Sequence, residues 1–216
     1  MSRFFVGITG ASGHVYAERL VTELARAGHE VDLSLTRAGA EVLRHERGVD
    51  AGERGERLSG ALAGWLGADV ARAVRVHPVD AIGAPPASGT ALSGGTVLVP
   101  CSMGTLARVA AGFSSNLVER AADVALKERR TLVLVPRETP LSEIHLENML
   151  RLARMGATVL PAMPGFYHRP ERLEHLVEHV VGKILDRLRV EHAVGARWRG
   201  TEPPTADPGV EPAGAD

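Results

Sequence analysis

Short apolar runs alternate with stretches of helical periodicity along most of this chain, and the runs stop at glycine, threonine or proline. That rhythm is the strongest constraint on the fold. A buried strand reads as a brief apolar run, whereas a helix lying on a sheet repeats apolar residues three and four apart. Phe4–Ile8, Glu30–Leu35, Val97–Val99, Thr131–Val135 and Ala157–Leu160 read as strands. Tyr16–Arg26, residues 37–46, Leu106–Ala111, Leu117–Arg129, Ile144–Met155 and Glu171–Leu188 read as helices. The last carries one apolar stripe through Leu173, Leu176, Val180, Ile184 and Leu188, the mark of a helix with one buried face. Leu58, Leu62, Trp65 and Leu66 are also spaced like a helix, and Pro85–Gly89 reads as loop because of its breaker residues.

Strands alternating with helices imply a parallel sheet covered on both faces. The expected fold is therefore a single α/β domain over residues 1–190, a Rossmann-like (flavodoxin-like) doubly wound sheet. Residues 191–216 form an extension. From about residue 200 it is rich in proline and acid and too poor in apolar surface to offset its ordering entropy, so disorder is expected there.

In such sheets ligands gather beyond the carboxyl ends of the strands. Polar punctuation falls at four of those ends: Thr9–Gly13, Thr36, Cys101–Thr105 and Arg137-Glu138. The topology brings them to one edge.

Composition narrows the partners. A net charge of −1 gives no general pull toward nucleic acid or an acidic membrane. Aromatic residues make up 4%, too few for a base-stacking surface. The first apolar run is too short for a signal peptide or a membrane span, so a cytoplasmic location is expected. Cys101 is the one cysteine and has no internal disulfide partner; a buried structural thiol is expected rather than a nucleophile.

The turn Gly7-Ile8-Thr9-Gly10-Ala11-Ser12-Gly13 joins a strand to a helix start, where backbone N–H groups and the helix dipole favour an anion. No Gly-Lys-Ser/Thr follows it, and strand two ends in Thr36-Arg37 rather than an acid. Both dinucleotide and P-loop readings are thereby disfavoured, and a mononucleotide suits the turn better. Pro100-Cys101-Ser102-Met103-Gly104-Thr105 offers hydroxyls at a helix start, as a cap or as ligand donors. Arg137 follows a strand end and can fork onto phosphate or a carbonyl. Glu138 is a candidate acid or base. Tyr167 brings a hydroxyl on an apolar ring, and Lys183 lies beside the stripe of the last helix. His175 and His179 are four apart, among Glu171, Glu174 and Glu178, and read as a solvated face rather than a metal pair. No zinc spacing and no Asp-Asp-x-x-Asp cluster occur, so no metal is expected.

At these residues the chain resembles the flavin prenyltransferases, the UbiX group. The matching stretches are Gly7–Gly13, Pro85–Gly89, Pro100–Thr105, Asn116–Arg130, Leu132–Met149 and Pro164–Pro170, with the run RETPLSEIHLENM the most specific. The resemblance spans about residues 3–190. It implies reduced FMN as substrate, dimethylallyl monophosphate as prenyl donor, and prenylated FMN made for UbiD-type decarboxylases. It also implies homo-oligomers built as trimers and dodecamers. The residues it implies for FMN are Gly10, Ala11, Ser12, Thr36, Ser102, Met103, Gly104, Thr105 and Arg137. Those for the prenyl phosphate are Tyr167 and Lys183, with Arg120 and Lys127 reaching it from a neighbouring subunit. Ser12, Glu46 and Glu138 resemble the family's catalytic positions. Lys183 stands where many relatives have arginine, and Ile82 where some have an aromatic, which bears on prenyl length. Two other readings share the flavin: a flavin-dependent cysteine decarboxylase-like enzyme, and a non-catalytic flavin carrier subunit. The former carries a Pro-Ala-Ser-Ala-Asn loop that is absent here, and the latter needs no second phosphate pocket.

Overall fold

The computed structural model describes residues 1–91 and 94–197. Six strands form one parallel sheet: β1 Arg3–Ile8, β2 Glu30–Leu35, β3 Val74–Val76, β4 Gly95–Cys101, β5 Leu132–Pro136 and β6 Thr158–Val159, in the order β3-β2-β1-β4-β5-β6. This is the Rossmann order, whose direction reverses between β1 and β4. Among the described residues the α-helices are α1 His14–Arg26, α2 Arg37–Arg47, α3 Leu58–Leu66, α4 Ala68–Ala71, α5 Met103–Ala110, α6 Leu117–Lys127, α7 Glu143–Arg154 and α8 Leu173–Leu188. None among the described residues is long and apolar enough to cross a membrane.

Alternation along the strands divides the core between the two faces. Val6, Ile8, Leu33, Leu35, Val97 and Val99 pack with Leu20, Leu24, Val181 and Ile184 of α1 and α8. Phe5, Leu98, Leu132 and Leu134 pack with Leu106, Val118, Ala121 and Ala122 of α5 and α6. Each fully buried Leu or Phe contributes about 1.5–3 kcal/mol. Gly7 belongs to the second face because it must: an added Cβ would lie 2.6 Å from Leu98 and 2.9 Å from Val118.

Several sequence expectations shift. Strand β3 and helix α4 are additions. Strand β3 has only three residues, with Arg75 exposed, and the buried His77–Asp32 hydrogen bond at 2.7 Å ties its end back to β2. Pro85–Ala87 is a 3-10 turn rather than open loop. Strand β4 does not stop at Pro100; it continues to Cys101 with a register break after Leu98. Helix α8 starts at Leu173, not Glu171. The described part of the extension returns along α8. Val190 and Val194 are buried, and His192 and Arg197 both bond Asp186, at 3.2 and 2.9 Å. The expected disorder from about residue 200 lies outside the described residues.

Candidate functional site

The carboxyl ends of four neighbouring strands are bonded to one another. The Thr9 hydroxyl after β1 donates to Pro100 O at 2.8 Å and accepts from Ser102 N at 2.7 Å. Thr36 N after β2 donates to Ile8 O at 2.9 Å. Cys101 stands opposite Pro136, and Ala162 N reaches Pro136 O at 2.9 Å. Gly10, Ala11, Ser12, Thr36, Ser102, Gly104, Thr105, Arg137 and Glu138 thus come to one edge, at the point where the strand order reverses. Gly10 allows the approach of α2, since a Cβ there would lie 2.6 Å from the Ala38 Cβ.

The hydroxyls have local duties as well. Thr36 caps α2 by accepting from Gly39 N at 3.1 Å. Ser102 caps α5 by accepting from Thr105 N at 3.3 Å, and it donates to the Thr105 hydroxyl at 3.1 Å. The Met103 side chain is buried in the second core, which leaves its backbone as the part able to face a ligand. Arg137 differs from these. Its Nε is buried and has no hydrogen-bond partner among the described residues. A buried unpaired donor is costly, and this one is left open to an acceptor from outside the chain.

The start of α1 corrects an expectation. The N–H groups of Gly13 and His14 do not face open space; they donate to the Glu46 carboxylate at 3.1 and 3.0 Å. Gly13 holds φ at 109°, a left-handed conformation suited to glycine. The anion at this helix start is therefore one of the chain's own side chains. Burial pushes the Glu46 carboxyl up, but bonds from Ser12, His14 N and Gly13 N outweigh it and hold the group below its ordinary value. Behind Glu46 sits His14, fully buried, with Nε2 3.0 Å from Gly39 O and Nδ1 3.5 Å from Glu46. Burial pushes this imidazole below its ordinary value, against the pull of Glu46. No local sequence signal marked His14.

Glu46→Gln turns one acceptor oxygen into a donor facing donors, and is expected to cost about 2 kcal/mol. The folded carboxyl lies below its ordinary 4.5. Its stabilisation is therefore complete above that value and is lost as pH falls through the lower, folded pKa. The stability gap between the two proteins should narrow in thermal melts taken from about pH 7 down to about pH 3; a gap independent of pH would refute this.

Tyr167 and Lys183 form a second group. The chain leaves the edge at Ala162 and runs beside α8, where the Tyr167 hydroxyl lies 3.1 Å from His179 Nε2. Lys183 is one turn further along and exposed. The reading of His179 as part of a solvated face is corrected: it also accepts from Gly165 N at 3.1 Å, because the preceding loop folds over it. A cavity of about 230 Å³ is lined by Tyr167, His179, Gly182, Lys183 and Asp186.

Arg120 and Lys127 both lie on α6, outside the loops that carry those two groups. Arg120 bonds Asp123 at 2.9 Å. Lys127 ends α6, pairs with Glu128, and stands just before the amino end of β5. Arg137 follows the other end of that strand, roughly 16 Å away at the rise of a β-strand. Ile82 is 59% exposed in the loop after β3. Cys101 is wholly buried, and burial pushes its thiol up to about 12, so it is a packing residue and not a nucleophile.

Comparison with known proteins bears on this arrangement. The family described as Flavoprotein matches residues 1–191. A flavin prenyltransferase UbiX of Alkalihalophilus pseudofirmus is 51% identical over 196 residues, covering 89% of this chain and 94% of that protein. A UbiX structure in complex with FMN and dimethylallyl pyrophosphate has a TM-score of 0.81 at 36% identity, covering 93% of this chain and 98% of that one. A dodecameric FMN-dependent UbiX-like decarboxylase from Escherichia coli O157:H7 has a TM-score of 0.79 at 40% identity, covering 92% and 100%.

Proposed function

Because this chain belongs to the flavin prenyltransferases, within the wider flavoprotein family, we propose that it transfers a dimethylallyl group from dimethylallyl monophosphate to N5 and C6 of reduced FMN. The observation that carries this reading is the joined edge of four strand ends with the unpartnered, buried Nε of Arg137 among them. That donor fits a flavin carbonyl or a phosphate oxygen. Gly10, Ala11, Ser12, Thr36, Ser102–Thr105 and Arg137 would hold the FMN.

Reduced FMN supplies the electron-rich atoms that receive the prenyl group. The chain supplies the electrostatics. Tyr167 and Lys183, with Arg120 and Lys127 of a neighbouring copy, would hold the phosphate and meet its growing charge as the allylic carbon–oxygen bond breaks. Each preorganised donor of this kind contributes about 3 kcal/mol. The placement of Lys127 beyond the amino end of β5 supports a site completed by another copy, in a trimer or dodecamer. Bonding at N5 releases the N5 proton, and bonding at C6 follows protonation of the prenyl double bond and releases the C6 proton; Glu138, Glu46 or the departing phosphate would move these protons. A monophosphate carries less charge than a diphosphate, and side-chain cations suffice to match it. The prenylated flavin would pass to a UbiD-type decarboxylase.

Purified protein given reduced FMN and dimethylallyl monophosphate, with a chelator present, is expected to yield flavin heavier by one C5H8 unit. Unchanged flavin mass from folded, FMN-loaded protein would overturn the reading.

A further inference from the structure

We propose that His179 is a positioning residue that fixes the Tyr167 hydroxyl beside Lys183, for the phosphate of the prenyl donor; this rests on the assignment of Tyr167 and Lys183 to that phosphate. The case begins with a backbone group. An amide N–H can only donate, and that of Gly165 donates to His179 Nδ1 at 3.1 Å. Nδ1 therefore carries no proton. The neutral ring must hold its proton on Nε2, which lies 3.1 Å from the Tyr167 oxygen. So the imidazole donates and the phenol oxygen accepts. The hydrogen shared between them belongs to His179, and a phenol oxygen that accepts a bond becomes a stronger O–H donor in turn.

The ring is held on more than one side. Tyr167 meets it nearly edge-on, with centroids 5.5 Å apart and planes at 77°. His168 stacks on it at 5.5 Å and 10°. Burial, with the neighbours His168 and Lys183, holds the imidazole below its ordinary pKa, which preserves the neutral tautomer that the geometry requires. Lys183 is four residues further along α8, on the same helix face. His179 thus joins the loop that carries the hydroxyl to the helix that carries the ammonium. All three line the cavity of about 230 Å³.

A double-mutant cycle tests this, with FMN affinity and melting temperature measured on every variant. H179F is expected to lower kcat/KM for dimethylallyl monophosphate about tenfold at saturating reduced FMN, without changing FMN affinity. H179Q places an amide N–H near the position of Nε2 and should recover most of the loss. In a Y167F background, adding H179F should change kcat/KM by less than about twofold, since the two residues act as one unit. If H179F proves unstable, H179N decides: it keeps an acceptor for Gly165 but cannot reach Tyr167, and the same loss is expected. Parent-like activity of H179F or H179N beside an impaired Y167F overturns the inference, and so do losses that multiply in the double variant. Unchanged kinetics of Y167F would overturn the phosphate assignment itself, and the inference with it.

Discussion

Arg137→Leu is expected to weaken FMN binding about 100-fold while the melting temperature of the apoprotein stays the same or rises. The two halves of this result come from one observation. The Arg137 Nε is buried and has no hydrogen-bond partner among the described residues. In the free protein that donor has lost water and gained nothing, which is destabilising. A bound flavin would repair it with a charge-assisted hydrogen bond. Leucine removes both the strain and the repair. A purely structural arginine would behave in the opposite way, with stability lost and flavin binding kept. Fluorescence titration with FMN and thermal melts of the apoprotein separate the two. A lower melting temperature with unchanged FMN affinity would refute the assignment.

Arg108→Ala is expected to cost about 3 kcal/mol, the low end for stranding a buried carboxylate, because the partner removed is half-exposed and screened by water. For a domain of this size that lowers the melting temperature by roughly 10 °C. The pair is asymmetric. The Glu119 side chain is 1% exposed and that of Arg108 46%. Glu119 also accepts from Ser115 N at 2.9 Å, which fixes the turn into α6. Removing Arg108 leaves a carboxylate inside the protein without its counter-charge. Glu119→Gln should cost less, because the half-exposed guanidinium turns to water. Arg108 also donates to the Thr105 hydroxyl at 3.3 Å, so its loss is expected to loosen the cap of α5 and, at the proposed site, to lower FMN affinity. Equal destabilisation by the two substitutions, measured by denaturant unfolding, would contradict this ordering.

What was legible in the sequence was local. The apolar runs and the punctuation after them placed β1, β2, β4 and β5, and with them the four loops at the edge. These signals depend on a few consecutive residues. Strand β3 was not legible because Val74–Val76 is short and Arg75 faces solvent; its place comes from pairing with β2. His14 gave no signal because its role depends on Glu46, 32 residues later, folding back over the start of α1. For His179 the periodicity identified the correct helix face, but the Gly165–His168 loop that covers it is set by tertiary packing. The separation of Lys127 from Arg137 was implicit in the order of elements. The last residue of a helix that runs into the amino end of a strand lies at the opposite edge from the residue that follows the strand.

The carboxylate seated on the first turn of α1 has a consequence for how a nucleotide lies in the pocket. With Glu46 already neutralising the positive pole of that helix, a phosphate brought to the same spot would meet like charge. The turn Gly10–Gly13 therefore repels the ionic end of the ligand and tolerates its flat, uncharged end. A flavin in the proposed site is therefore expected to lie with its ring toward α1 and its phosphate away from it.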